Sequence, residues 1–401
     1  MLAVVMSGGY LASSAGILKR MASVRRGMAL DLVEQFRCDA RVTCVVCTDD
    51  AGVANEARAL GAEVWWTGES GEKSNGLAET QNGAAGMQDG TVEPDSFGNP
   101  RVDAGRGQRF DWLRTLQEVV RAFAADPDES VVVAGGCGAP FLTREGVREM
   151  AERQRDGVWQ NNRMSPDIVW VKPASAVLQV RECLTDNHFG FALEEQAGLP
   201  VQFFPGEMGL FYDVDTPFDA LLAAKHPAAG ERLRAAAGKL PQGVALEEML
   251  AVLARTDYPD IALLGRVHPL EAEAFGQALG LRMRVFSEER GMKALGREEK
   301  GLVRSLTAAL VETIGVEAFF SELAGMASGV LWDTRVLFAH LKLQLSEQER
   351  FAADLGLVEE VHDPFLRSFT EAAVRAPIPV LTGGQALVSG ALRLLREATK
   401  R

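Results

Sequence analysis

The first 65 residues constrain the fold more than any other stretch, because short apolar runs alternate there with longer helical patterns. LAVVMS (2–7) reads as a strand, and residues 15–36 carry apolar side chains at helical spacing. RVTCVVCT (41–48) reads as a second strand. DDAGVANEARALG (49–61) is then a helix that opens on acids and closes on Gly61, as the helix dipole and C-cap preferences require. AEVWWT (62–67) follows as a third strand. Strands that alternate with helices build a parallel sheet, and such sheets place ligands at the carboxyl ends of their strands.

From Thr67 to Arg109 this pattern gives way to a stretch rich in Gly, Asn, Ser, Asp and Glu, expected to be a surface insertion or flexible loop. Order returns with the amphipathic FDWLRTLQEVVRAFAAD (110–126). ESVVVAGGCGAPFLT (129–143) is an apolar strand ending in a glycine-rich turn, and REGVREMAERQRDG (144–157) is a helix. SPDIVWVKPASAVLQVREC (165–183) supplies a further strand and a short helix. GLPVQFFPGEMGLFYDVDTPFDALLAAKH (198–226) reads as two strands and a helix beginning after Thr216-Pro217. A chain of 401 residues exceeds one ordinary core. The expected division is 1–228 (with 67–109 inserted), a linker over 229–243, and a smaller α/β or mainly helical domain over 244–401. Strands are expected in that last part at DIALLGRV (260–267), RMRVFSE (282–288), GVLWDT (329–334) and IPVLTGG (378–384).

The net charge of −13 argues against a nucleic-acid partner, which needs a basic face to release counterions. No apolar stretch approaches the ~20 residues of a membrane helix, and the first residues lack the basic region and cleavage site of a signal peptide. Five cysteines, Cys38, Cys44, Cys47, Cys137 and Cys183, fit reduced cytoplasmic thiols. Cys44 and Cys47, three apart on a strand, face opposite sides and read as packing residues rather than a metal pair.

The chemistry concentrates in FYDVDTPFDAL (211–221). Thr216 as an N-cap, Pro217 at the first helical position and Asp219 in the first turn account for three of its residues. Asp213 and Asp215 remain. Two apart at a strand end they share a face, and paired carboxylates repel unless a hard cation such as Mg²⁺ sits between them. In SGGYLASSAGILKR (7–20), Gly8, Gly9, Ser13 and Ser14 allow backbone N–H groups to approach a phosphate, with Lys19 or Arg20 supplying charge. A mere tight turn is the alternative. Gly135 and Gly136 permit close approach of a ligand to the backbone. Asn161 and Asn162, near Ser165 and Asp167, suit either a turn or contacts to a base or acceptor. Asp186, Asn187 and His188 read as a helix start. In the last part, Arg266, Glu288, Glu289, Arg290, Asp333, Arg335, His340, Arg350 and Asp354 form either a polar pocket, an ion-pair network or a homodimer contact.

DVDTPFDALL and the element order over 1–225 resemble the small nucleotidyltransferases of the GT-A, Rossmann-like fold. They are most similar to the guanylyltransferases that activate phospholactate or phosphoenolpyruvate, and more distantly to the molybdenum-cofactor nucleotidyltransferases. The resemblance implies Mg²⁺-assisted transfer of a nucleotidyl group from a nucleoside triphosphate to a small phosphorylated or carboxylated acceptor, with pyrophosphate leaving. It assigns the metal-binding carboxylate to Asp213 or Asp215, and the triphosphate contacts to Gly8, Gly9, Lys19 and Arg20. The catalytic set read on this basis is Asp213, Asp215 and Lys19, with Asn161, Asn162, Asp186 and Asn187 toward the acceptor. One departure is plain: the family's central strand ends in an Asp, within a pattern like PADLPLL, where this chain has Gly135, Gly136, Cys137 and Gly138. Asp49 or Asp50 are the stand-ins considered. Without a replacement, the chain is instead a sensor or assembly protein that binds a nucleotide or sugar nucleotide without turnover.

Overall fold

The computed structural model describes residues 1–9, 16–68, 110–163, 166–183, 185–241, 244–293, 295–383 and 386–399. Ser13, Ser14 and nearly all of the 67–109 insertion lie outside the described residues.

Seven strands make the first sheet: β1 (Leu2–Met6), β2 (Thr43–Thr48), β3 (Glu63–Trp66), β4 (Val131–Gly135), β5 (Gly157–Gln160), β6 (Ile168–Lys172) and β7 (Val201–Phe203). Their order is β3-β2-β1-β4-β6-β5-β7. Pairing is parallel except where β6 meets β4 and β5. The continuous valine runs of β1 and β4 fit this central position, because strands covered on both faces bury every side chain. Val131 and Val132 are fully buried, and each such side chain contributes on the order of 1.5–3 kcal/mol relative to exposure. The chain leaves β1 toward β2 and β3 but enters β4 on the other flank. The switch point therefore lies between the carboxyl ends of β1 and β4, where Met6 pairs with Gly135.

Capping sets the helices that flank this point. Asp50 accepts the Val53 N–H at the start of Ala51–Ala59, and Asp111 accepts that of Arg114 at the start of Trp112–Phe123. Thr216 and Asp219 form a reciprocal capping box with Pro217 in the first turn of Pro217–Ala223, as their spacing implies. Two readings need correction. β5 carries too few residues, opening on a glycine, to stand out from its polar flanks. The stretch 210–216 is no regular strand: Asp213 makes only an isolated bridge to Gly138, beside a Val214 N–H donating to the Cys137 carbonyl at 3.3 Å.

A second, all-parallel sheet follows, from β8 (Asp260–Gly265), β9 (Arg282–Ser287), β10 (Gly329–Trp332) and β11 (Val380–Thr382), in the order β11-β10-β8-β9. Each lies within one of the four apolar runs singled out above. Its switch point falls between β8 and β10. One apolar cluster joins Ile17, Met21, Phe141 and Phe218 to Leu246, Ile261, Leu331 and Leu387, so the two sheets share buried surface. Within 229–243, the helix Glu231–Ala237 packs so closely on Gly16–Phe36 that a Cβ at Gly27 would sit 3.0 Å from the Arg232 carbonyl oxygen.

Candidate functional site

The carboxyl ends of β1 and β4 open into a cavity of about 420 Å³. Gly8 and Gly9 line one side, Gly135, Gly136 and Gly138 the floor, and Asp213 and Asp215 the facing wall. Asp186 and Asn187, on a short 3₁₀ turn (Asp186–His188), border it as well.

The glycines act differently from simple phosphate donors. The Gly9 N–H donates to both carboxylate oxygens of Asp49, at 3.0 and 3.1 Å. A Cβ on Gly8 would lie 2.8 Å from Asp49 Oδ1, so only glycine admits that carboxylate. Asp49 thus occupies the amide that the sequence offered to a phosphate, which shows that the turn accepts an anion. Asp50 caps its helix and pairs with Arg26 at 2.6 Å, away from the cavity. On the floor, the N–H groups of Gly135, Gly136 and Gly138 donate to the carbonyls of Asp167, Met6 and Gly135. Gly136 and Gly138 serve close packing: a Cβ at Gly136 would fall 3.1 Å from the Cβ of Ala29, and one at Gly138 2.3 Å from the Cβ of Asp167.

Asp167 stands in the stretch for which the sequence left a turn and a ligand contact both open, without a role of its own. It directly precedes β6, whose antiparallel register on β4 brings it beside the glycine run and into the cavity. Asn161 holds it, its amide donating to Asp167 Oδ2 at 2.9 Å and its carbonyl accepting the Asp167 N–H at 3.0 Å. Burial raises the Asp167 carboxyl to about 6, against the Asn161 hydrogen bond and with help from Asp215 and Asp186. Asp213 is pushed well above its ordinary value by burial first, then by Asp215 and Asp167. Burial likewise lifts the Cys137 thiol to about 12, which leaves it protonated and inert.

Other predicted residues lie elsewhere. Lys19 and Arg20 are exposed and outside the cavity lining, because the phase that buries Ile17 and Met21 turns them outward. Asn161 supports Asp167 rather than facing the cavity, and Asn162 is not part of the lining. Phe110, Trp112 and Phe189 form an aromatic wall that the sequence did not reveal, with Trp112 and Phe189 edge to face at 5.1 Å. Such a wall suits the apolar face of a base.

The described lining thus carries Asp49, Asp167, Asp186, Asp213 and Asp215 and no Lys, Arg or His. An all-oxygen, mutually repelling donor set fits a hard divalent cation. Among the described residues no group of three or more His, Cys, Asp or Glu is gathered to hold an ion by itself. That agrees with the habit of Mg²⁺, which takes one or two carboxylates and completes its shell with water and substrate phosphate. Asp213 and Asp215, with Asp167 beside them, are the residues that fit it.

Raised carboxyls also set a pH dependence. Burial lifts Asp219 to about 7 and Asp354, further along the same polar seam, to about 7. An acid whose folded value exceeds its unfolded one stabilises the fold at low pH, and that contribution is lost as pH rises through the folded value. Between about pH 5.5 and 7.5 each such group accounts for roughly 2 kcal/mol. Relative to the parent, metal-free D354N is therefore expected to gain in melting temperature as pH rises from 5.5 to 7.5, since His226 and His268, whose lowered values act the other way, are common to both chains. A difference between the two chains that does not change with pH contradicts it.

The sheet order settles the architecture. The fold is α/β and Rossmann-like. No family model matches the chain, and no curated protein matches it. Among solved structures, a protein of Desulfovibrio desulfuricans G20, described provisionally as a nucleotide-diphospho-sugar transferase, is similar over 55% of this chain and 84% of its own. The identity is 12% and the TM-score 0.36. Among the described residues, no helix is long and apolar enough to cross a membrane.

Proposed function

We propose that the cavity receives a metal-bound nucleoside triphosphate and that the chain transfers its nucleotidyl group to a small anionic acceptor. The observation that carries this reading is the convergence of Asp49, Asp167, Asp186, Asp213 and Asp215 on one cavity at the switch point, with no cation in the described lining. A polyphosphate enters such a place only together with divalent cations. The aromatic wall of Phe110, Trp112 and Phe189 supplies a surface for the base.

In the proposed transfer an acceptor oxygen attacks the α-phosphorus and forms a new P–O bond. The bond from the α-phosphorus to the bridging oxygen breaks, and pyrophosphate leaves with the electron pair. A phosphate or carboxylate acceptor is already ionised, so no general base is required and His188 needs no role. Mg²⁺, held by Asp213 and Asp215, would neutralise charge on the phosphates. The protein's own contribution is positioning: Asn161 fixes Asp167, and the Thr216–Asp219 capping box fixes the backbone just after Asp215.

A second reading is binding without turnover. It is favoured by the absence of a carboxylate on residues 135–138 at the end of β4 and by the Asp49 carboxylate already seated on Gly9. Pyrophosphate release separates the two readings. With the full chain, Mg²⁺, each of the four nucleoside triphosphates and phospholactate or phosphoenolpyruvate, release dependent on both base and acceptor is expected. Metal-dependent binding with no release for any pair supports the second reading.

A further inference from the structure

The polar residues of the second sheet gather where its chain order reverses. Arg266 follows β8 directly, and Asp333, Thr334 and Arg335 follow β10. The two strand ends approach so closely that a Cβ on Gly265, at φ +101°, would fall 2.4 Å from the Asp333 carbonyl oxygen. Asp333 is fully buried and accepts from Arg266 Nε at 2.7 Å. The Arg266 side chain is 16% exposed, and its buried Nη2 finds no hydrogen-bond acceptor among the described residues. One arm of a guanidinium is thus fixed by an internal carboxylate while another is aimed at nothing. A buried donor left so is destabilising unless a ligand or water takes it.

Arg335 Nη2 lies 3.9 Å from Asp215 Oδ2, so this cluster adjoins the cavity through an acid that lines it. Further cations crowd in. Lys293 is held below its ordinary value by partial loss of water, then by Arg335 and Arg266, and Arg290 likewise by loss of water and then Arg266. Around Arg266 loss of water is outweighed by the acids, Asp333, Glu298 and Asp215 raising it, and Arg335 also faces Asp219 and Asp354. The repulsion between cations falls on Lys293 and Arg290.

We propose that this switch point, between Arg266 after β8 and Arg335 after β10, is an anion subsite that holds the phosphate or carboxylate group of the acceptor beside Asp215. Ligands of open α/β sheets bind at the carboxyl ends where strand order reverses, and guanidinium groups match the planar and tetrahedral oxyanions. The placement complements the cavity. Its acids repel an anionic acceptor, so the acceptor's charge must rest on cations outside the lining while its attacking oxygen reaches in. Only the word acceptor rests on the transfer reading; an anion subsite does not.

The test is titration of the full chain with inorganic phosphate and with acetate, without nucleotide or metal, at constant ionic strength. Saturable binding in the millimolar range or tighter is expected for at least one of them, a phosphate preference marking a phosphorylated acceptor and an acetate preference a carboxylated one. R266Q should weaken it about tenfold and K293Q about threefold. Because R266Q strands buried Asp333, K293Q at an exposed position carries the test if R266Q does not fold. Binding of neither anion, or unchanged affinity in K293Q and in any folded R266Q, overturns the proposal. Equal loss of triphosphate binding in these variants assigns the subsite to the nucleotide and overturns the acceptor assignment. Variant-sensitive phosphate binding with no nucleotide binding at all keeps the subsite and removes the transfer reading.

Discussion

Asp213→Asn is expected to weaken metal-dependent triphosphate binding severely while leaving the fold at least as stable as the parent. The two halves of this result have one cause. Asp213 sits half-buried, and loss of water, then Asp215, Asp167 and Asp219, push its carboxyl well above the ordinary range. Replacing it by a neutral side chain of the same shape removes repulsion from the metal-free protein. It also removes an oxygen ligand that a divalent cation needs, and the expected loss is on the order of 10² in apparent affinity for the metal–nucleotide complex. Titration of the triphosphate at fixed Mg²⁺ reads the first half and thermal melting the second. A residue there only to shape the 210–216 segment would behave the opposite way, with a lower melting temperature and intact binding.

Gly209→Ala is expected to be among the most destabilising single substitutions in the chain. Gly209 adopts φ +76°, and a Cβ there would lie 2.0 Å from the carbonyl oxygen of Phe141 and 2.7 Å from its carbon. Nothing flexible can yield, since the obstacle is backbone and the Phe141 side chain is 1% exposed beneath Phe211 and Tyr212. Overpacking and the left-handed conformation together cost about 3 kcal/mol or more, a large part of a typical total. Gly198, at φ +68° with nothing within 4 Å of its Cβ position, is the matched control. G198A should lose only about 1 kcal/mol. Urea unfolding compares them, and a G209A midpoint equal to that of G198A would refute the close approach. Because Gly209 precedes Asp213 by four residues, a folded G209A should also weaken nucleotide binding.

What the sequence made legible follows from range. The valine-rich strands, the helix caps at Asp50 and Thr216 and the four runs of the second sheet depend on neighbours within a few residues, and each appears where its pattern lies. Helical phase alone would have turned Lys19 and Arg20 outward, since Ile17, Met21, Val24 and Met28 mark the buried stripe. The place of Asp167 was not legible in the same way. Asp167 reaches the cavity because β6 runs antiparallel beside β4 with Ile168 opposite Ala134, a pairing across more than thirty residues. Its trace in the sequence is indirect: Gly138 is small because the Asp167 side chain occupies the space above it. The same holds for Arg266 and Arg335, whose strand ends lie side by side only through the parallel pairing of β8 with β10.

The account stands or falls on whether the acids around Asp213 and the Gly8-Gly9 turn form one metal–nucleotide site. Isothermal titration of the full chain with the four nucleoside triphosphates, in Mg²⁺ and then in its absence, addresses this most directly. At least one triphosphate should bind with Mg²⁺ and lose about 10² or more in affinity without it. Equal affinity in the two conditions, or no binding of any triphosphate in either, contradicts the account.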